Sequence, residues 1–185
     1  MIAVGNDVVD LEEERARPVH PRFAARIGAA PGDDLWFQFA AREAAWKALR
    51  KIEPAIRPIP RRFVVHPGGG SVSYGAHTVR LVRTRTDRFV HVVAWSGAGT
   101  PVFDVAAIGM SEPAAQSAEA RRLLCLAAAG RLGVEPGELH VERPPDPGAW
   151  DGRGPPRLLH RGLPLRVDVS LSHHGRFVAW ALLVA

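Results

Sequence analysis

Cysteine is nearly absent: Cys125 is the only one in 185 residues. A lone cysteine excludes an internal disulfide, and this one lies in the apolar run LLCLAAAG, where a buried helical thiol is expected. Such usage predicts a reducing cytoplasm. No stretch reaches the roughly 18 apolar residues of a spanning helix, so no membrane partner is expected. The opening MIAVGNDVVDL has no basic region and is interrupted early by Asp7, so it reads as a first strand rather than a signal peptide. The histidines at 20, 66, 77, 91, 140 and 160 show no ligand spacing for zinc, and no G-x-S-x-G elbow of a serine hydrolase occurs. Lysine is the other scarcity. Lys47 and Lys51 are the only two, against 22 arginines, and both fall within FAAREAAWKALRK. A bias toward arginine codons explains the arginines but not two lysines kept in one stretch. Lys51 is expected at the surface.

The remaining composition is that of a globular chain, 46% hydrophobic and 23% charged. Its length suits one domain, or two small lobes sharing a core. A net charge of +5 favours polyanionic partners: a phosphorylated cofactor, an acidic protein or nucleic acid. The arginines are scattered, without a basic tail or interleaved aromatics, so no motif supports nucleic acid.

Residues 2–11 read as a buried strand with Gly5, Asp7 and Val9 on one face and Val4, Asn6 and Val8 on the other. PGDD at 31–34 supplies turn and capping residues, and helical spacing runs from Leu35 to about Lys51 before the prolines at 54, 58 and 60. RRFVV, SVSYGAHTVRLVR and DRFVHVVAW are strand-like runs; residues 102–110 form a possible further strand. SEPAAQ opens a second helix ending near Gly130 or Gly133, the stretch 144–156 is loop, and LRVDVSLS and FVAWALLVA form a closing hairpin. DRFVHVVAW at 87–95 echoes GRFVAWALL at 175–183, which suggests two related lobes. The expected fold class is α+β, with lobes at 1–110 and 111–185.

Three groups of residues carry potential chemistry. Glu43 and Lys47 share a helix face, which is either a solvated ion pair or part of a site. Asp7 interrupts an apolar strand, so it is a paired or ligating carboxylate, unless the strand ends at Gly5 and Asp7 belongs to a turn. Together Asp7 and Glu43 would offer two carboxylates to Mg²⁺, which usually takes few protein ligands and keeps water and substrate phosphate. In SLSHHGRF, Ser170 and Ser172 share a face with Asp168 and His173 follows at the strand end, suiting either a hairpin or a binding loop.

GND at 5–7, FAAREAAWK at 39–47 and SLSH at 170–173, in that order, resemble the motifs of the 4'-phosphopantetheinyl transferases. The family has a G-x-D strand, a W/F-x-x-K-E-x-x-x-K helix and an S-x-S-H segment. The resemblance implies a pseudo-two-fold pair of α+β lobes, here with the lobes of the Sfp-type enzymes in permuted order. The smaller trimeric holo-acyl-carrier-protein synthases share the motif order but lack the insert at 112–160, so a monomer is implied. The implied reaction is Mg²⁺-dependent transfer of the 4'-phosphopantetheine arm of coenzyme A to a serine of an acyl or peptidyl carrier protein, with release of 3',5'-ADP. Such carriers serve fatty-acid, polyketide or nonribosomal-peptide synthesis. The alternative is an inactive module of the same fold that binds coenzyme A or a carrier.

By this resemblance Asp7 and Glu43 would hold Mg²⁺, and Glu43 or Lys47 would take the serine proton. Arg42, Ser172, His173 and Arg122 would contact coenzyme A. Three positions depart from the pattern: Val9 where a third acid often stands, Pro155 where a lysine does, and Arg42 for lysine. Arg153 or Arg157 would hold the phosphate that Pro155 cannot. Arg15, Arg17 and Arg22 are candidates for docking an acidic carrier, or simply a solvated loop.

Overall fold

The computed structural model describes residues 2–16, 19–20, 22–149 and 151–184. Arg17 lies outside them. The chain is α+β, with 30% helix and 36% strand. In its first half, β1 (Ala3–Asp10), α1 (Leu11–Arg15), α2 (Phe23–Ile27) and α3 (Leu35–Ile52) precede β2 (Val64–Val65), β3 (Ser71–Tyr74), β4 (His77–Arg85) and β5 (Phe89–Ser96). There follow β6 (Val102–Ala107), α4 (Pro113–Leu132), β7 (Leu139–Glu142), β8 (Arg157–His160), β9 (Leu163–Pro164), β10 (Val167–His174) and β11 (Phe177–Val184).

One antiparallel sheet has the order β1-β5-β4-β3-β2, a second β10-β11-β6 and a small third β7-β8-β9. β6 therefore belongs to the sheet of the C-terminal hairpin. The run read as one strand over 71–83 is a hairpin that turns at Gly75, whose φ of 56° is left-handed. β7 to β9 lie in a proline- and glycine-rich region whose composition conceals them. Residue alternation sets the layers. On β11, Trp180 and Leu182 face α4, while Ala179, Ala181 and Leu183 face the first sheet. On β1, Ala3 and Val9 face α3, while Val4 and Val8 face the second sheet. The two sheets are thus enclosed between α3 and α4.

α3 begins at Asp34, whose carboxylate accepts the Phe37 N–H, and its stripe of Ala40, Ala41, Ala44, Ala45 and Ala48 is fully buried. Small side chains let the helix lie directly on β1. A Cβ on Gly5 would sit 2.0 Å from the Ala44 carbonyl oxygen and 2.6 Å from the Ala48 nitrogen. Gly5 is required by this contact between backbones.

β1 and β10 lie side by side without forming a backbone ladder. Side chains of β10 serve instead. Val4 N–H donates to Asp168 Oδ2 at 2.6 Å, Asn6 N–H to Ser170 Oγ at 2.9 Å and Asp10 N–H to His174 Nδ1 at 3.0 Å, each pair separated by 164 residues. Fully buried Asp10 closes the end of this seam. It caps α1 and accepts the Arg176 N–H, Nε and Nη2 at 2.9–3.0 Å. Burial alone would raise its pKa, but the Arg176 guanidinium and the surrounding backbone N–H groups outweigh burial and hold the carboxyl well below the usual range.

Candidate functional site

α3 lies across the face of β1 and β5, and its two lysines reach over to the seam between β1 and β10. Lys47 Nζ donates to the Asn6 carbonyl at 2.9 Å and to Asp7 Oδ1 at 2.8 Å. Lys51 Nζ donates to the Val4 carbonyl at 2.7 Å, the Val169 carbonyl at 2.6 Å and Asp168 Oδ2 at 2.9 Å. Four helical residues advance about 6 Å and two strand residues about 6.6 Å, so the helix and strand stay in step. One rung is Val4, Asp168 and Lys51; the next is Asn6, Ser170 and Lys47.

Lys51 is therefore no surface residue. Its side chain is only 10% exposed and binds three elements together. Burial lowers its pKa, and Asp168 opposes that shift. Removing one partner of a buried pair costs far more than the pair contributes net, because the other charge is stranded. Lys51→Met is expected to destabilise the fold by about 3 kcal/mol. Lys51→Met/Asp168→Asn should recover part of that loss in urea denaturation; a double variant less stable than the single one contradicts this account.

The same step places Glu43 and Ser172 at the next rung, beside Val8. Ser172 is 6% exposed, and its Oγ has no hydrogen-bond partner among the described residues. Glu43 stands where a third lysine would continue the series. Burial raises the Glu43 pKa, nearby Asp7 raises it further, and Lys47 opposes both. Asp7 lies within β1, not in a turn after Gly5, and its side chain is 13% exposed. The ion pair is Lys47 with Asp7, not with Glu43. His173 falls on the opposite face of β10 from Ser172. Its pKa is lowered by partial desolvation and then by the charges of Lys47, His174 and Arg121, while Asp7 pulls it the other way. Asp7 and Lys47 thus pair directly, and their charges reach both Glu43 and His173, so three distant segments meet around this pair.

Beside them lies a cleft of about 250 Å³ whose lining includes Lys47, Arg50, Arg121, Arg143, Ser170 and His173. A larger hollow of about 780 Å³ shares the walls formed by Trp46, Arg50, Lys51, Pro155 and Pro156. Asp7 and Glu43 line neither hollow. Arg50 stacks over Trp46 at 5.0 Å. Arg143 clamps the loop opposite α3, donating to the Gly154 carbonyl at 2.8 Å, the Arg153 carbonyl at 2.9 Å and Asp151 Oδ2 at 2.7 Å. The excess of guanidinium and ammonium groups suits a phosphate-bearing ligand.

Three expected contacts stand elsewhere: buried Ser172 lines neither hollow, and two arginines are placed away from the cleft. Arg122 is 58% exposed and paired with Glu119, while its neighbour Arg121 lines the cleft. Arg42 lies one helical step from Glu43 and lines a different hollow, beside Gly28 and Gln38. Sequence spacing misses Arg121 and Arg143, because only the packing of α4 and of the 143–157 loop brings them to α3. It also misses His91, fully buried against Asn6 Nδ2 at 3.2 Å and pushed down to about 3 by burial and by Lys47.

Among the described residues, no group of three His, Cys, Asp or Glu side chains is placed to hold a metal ion. Asp7, paired with Lys47, is near enough to raise the Glu43 pKa, so two carboxylates, the donor type of hard divalent cations, stand in one neighbourhood. The chain matches no protein-family model, no curated protein and no solved structure.

Proposed function

We propose that the protein is a Mg²⁺-dependent 4'-phosphopantetheinyl transferase that moves the arm of coenzyme A onto a carrier-protein serine. One observation carries the reading: Lys47, held by its ion pair with Asp7, and His173 line one cleft rich in cationic side chains, and the Asp7 and Lys47 charges reach Glu43. The topology adds support for a pseudo-two-fold pair of lobes. The order β1-β5-β4 about α3 is repeated by β6-β11-β10 about α4. In that scheme β6 is the counterpart of β1, which moves the boundary between repeats to about residue 100.

In the reaction the carrier serine Oγ forms a bond to the β-phosphorus while the bond to the bridging oxygen breaks. The electron pair leaves with 3',5'-ADP, and the serine proton passes to a base. Glu43 suits that role, because a carboxylate with a raised pKa is a stronger base when ionised. Asp7 holds Lys47 by its ion pair, and the Lys47 ammonium faces the cleft as a fixed charge for phosphate. Arg121, Arg143 and His173 orient the remainder of the ligand. Asp7 and Glu43 would hold Mg²⁺, a group that supplies neutralisation of developing phosphate charge. Arg15 and Arg22 remain candidates for docking the acidic carrier.

The test is incubation with apo carrier protein, coenzyme A and Mg²⁺, followed by mass spectrometry of the carrier. One added phosphopantetheine arm is expected. An unmodified carrier, with coenzyme A still bound, would identify a binding module without turnover.

A further inference from the structure

We infer that the hollow on the opposite side of α3, centred on Arg42, Arg61 and Arg83, is a second, separate oxyanion site for a phosphate-class ligand. Its volume is about 630 Å³, and its walls include the start of α3 and the Gly68–Gly69 turn. The reason lies in Arg42. This guanidinium is only 5% exposed, yet it forms no ion pair among the described residues. Nη1 donates to the carbonyl and side-chain oxygens of Gln38, Nη2 donates to the Gly28 carbonyl at 3.0 Å, and Nε has no partner among the described residues. All its hydrogen bonds go to neutral oxygens, and burial outweighs the one nearby carboxylate, Asp33, so this buried cation is under-compensated and would gain from an added anion.

Arg61 and Arg83 reinforce the argument. Both are exposed, line the same hollow and form no ion pair among the described residues. The Arg83 guanidinium carbon sits over the Phe37 ring, 4.8 Å from its centroid, which holds the group at the rim. Gly28, left-handed at the end of α2, borders the cluster: a Cβ there would be 3.4 Å from Arg61 Cα and 3.7 Å from Arg42 Nη2. Of the two acids of the hollow, Asp34 is engaged elsewhere and Asp33 is the carboxylate that acts on Arg42. Asp34 pairs with Arg85 and caps α3, and Asp33 Oδ2 accepts the Ala30 N–H at 2.8 Å. Three guanidinium groups then face the acid Asp33 alone, and planar donors of this kind bind phosphate oxygens in pairs.

The inference does not rest on the proposed transferase activity, and its test separates the two. Inorganic phosphate is titrated calorimetrically into the full chain at constant ionic strength, with chloride as balance. The variants are Lys47→Met, which weakens the main cleft, and Arg61→Ala/Arg83→Ala, which alters exposed side chains only. Saturable binding that persists in Lys47→Met and weakens about tenfold or more in Arg61→Ala/Arg83→Ala is expected. Phosphopantetheine transfer by Arg61→Ala/Arg83→Ala should equal that of the wild type. Binding abolished in Lys47→Met alone, binding unchanged in Arg61→Ala/Arg83→Ala, or no saturable binding overturns the second site. A chain that binds phosphate here but never modifies a carrier refutes the transferase instead.

Discussion

Gly5→Ala is expected to yield no folded protein. The added methyl carbon would lie 2.0 Å from the Ala44 carbonyl oxygen and 2.6 Å from the Ala48 nitrogen, and both are backbone atoms of a regular helix. No rotamer change relieves such a contact, so α3 must move off β1. That movement separates the lysines from the Val4 and Asn6 carbonyls and opens the alanine stripe. The loss is comparable to the whole stability of a small domain, about 5 kcal/mol or more. The control is Gly130→Ala on the exposed face of α4, where a Cβ meets nothing within 4 Å. There the same substitution should stabilise the protein by about 0.5–1 kcal/mol, through helix propensity. Far-UV circular dichroism and urea unfolding distinguish the two, and a cooperative native-like transition for Gly5→Ala would refute the packing described.

Glu43→Gln is expected to lower transfer by about 10²–10⁴-fold while leaving the fold intact or slightly more stable. The two effects share one cause. Burial and the neighbouring Asp7 carboxylate raise the Glu43 pKa, so the folded state disfavours its ionised form. With a folded pKa above the unfolded value, Glu43 contributes stability below the ordinary glutamate range, and this is lost as pH rises through the folded pKa. The neutral amide removes that penalty at neutral pH. Glu43→Gln should therefore flatten the part of the stability profile that falls as pH rises from the ordinary glutamate range. Mg²⁺ should raise the Tm of the wild type more than that of the variant, because a cation between two carboxylates offsets their repulsion. Transfer at the wild-type rate by a folded Glu43→Gln protein removes Glu43 from the mechanism. A variant that is less stable at pH 7 removes the electrostatic account of its pKa.

The scarcity of lysine acquires a physical explanation from the seam. An ammonium is a compact group with three donors, able to reach a carbonyl and a carboxylate from one point. Lys51 meets Val4, Val169 and Asp168 in this way, and Lys47 meets Asn6 and Asp7. A planar guanidinium carries its donors in a fixed fork and does not fit between a helix and a strand edge at this distance. Both lysines are used where α3 reaches the edge carbonyls left free at the seam between β1 and β10.

Local sequence determines the elements whose signals are local. The span of α3 follows from its Asp34 cap, its alanine periodicity and the prolines beyond it, and α4 ends at left-handed Gly133. Apolar alternation marks β1, β10 and β11, and the faces of β1 are those that alternation predicts. The order of Asp7, Glu43, Lys47 and His173 is also legible, as isolated motifs. Tertiary structure alone decides the rest: that Lys51 is buried, that Asp10 joins β1 to the C-terminal hairpin, that Arg121 rather than Arg122 faces the cleft, and that Arg42 turns away from it. These depend on contacts across more than a hundred residues, or on which side of a helix a neighbouring layer occupies. Periodicity specifies a face, but only packing specifies what that face meets.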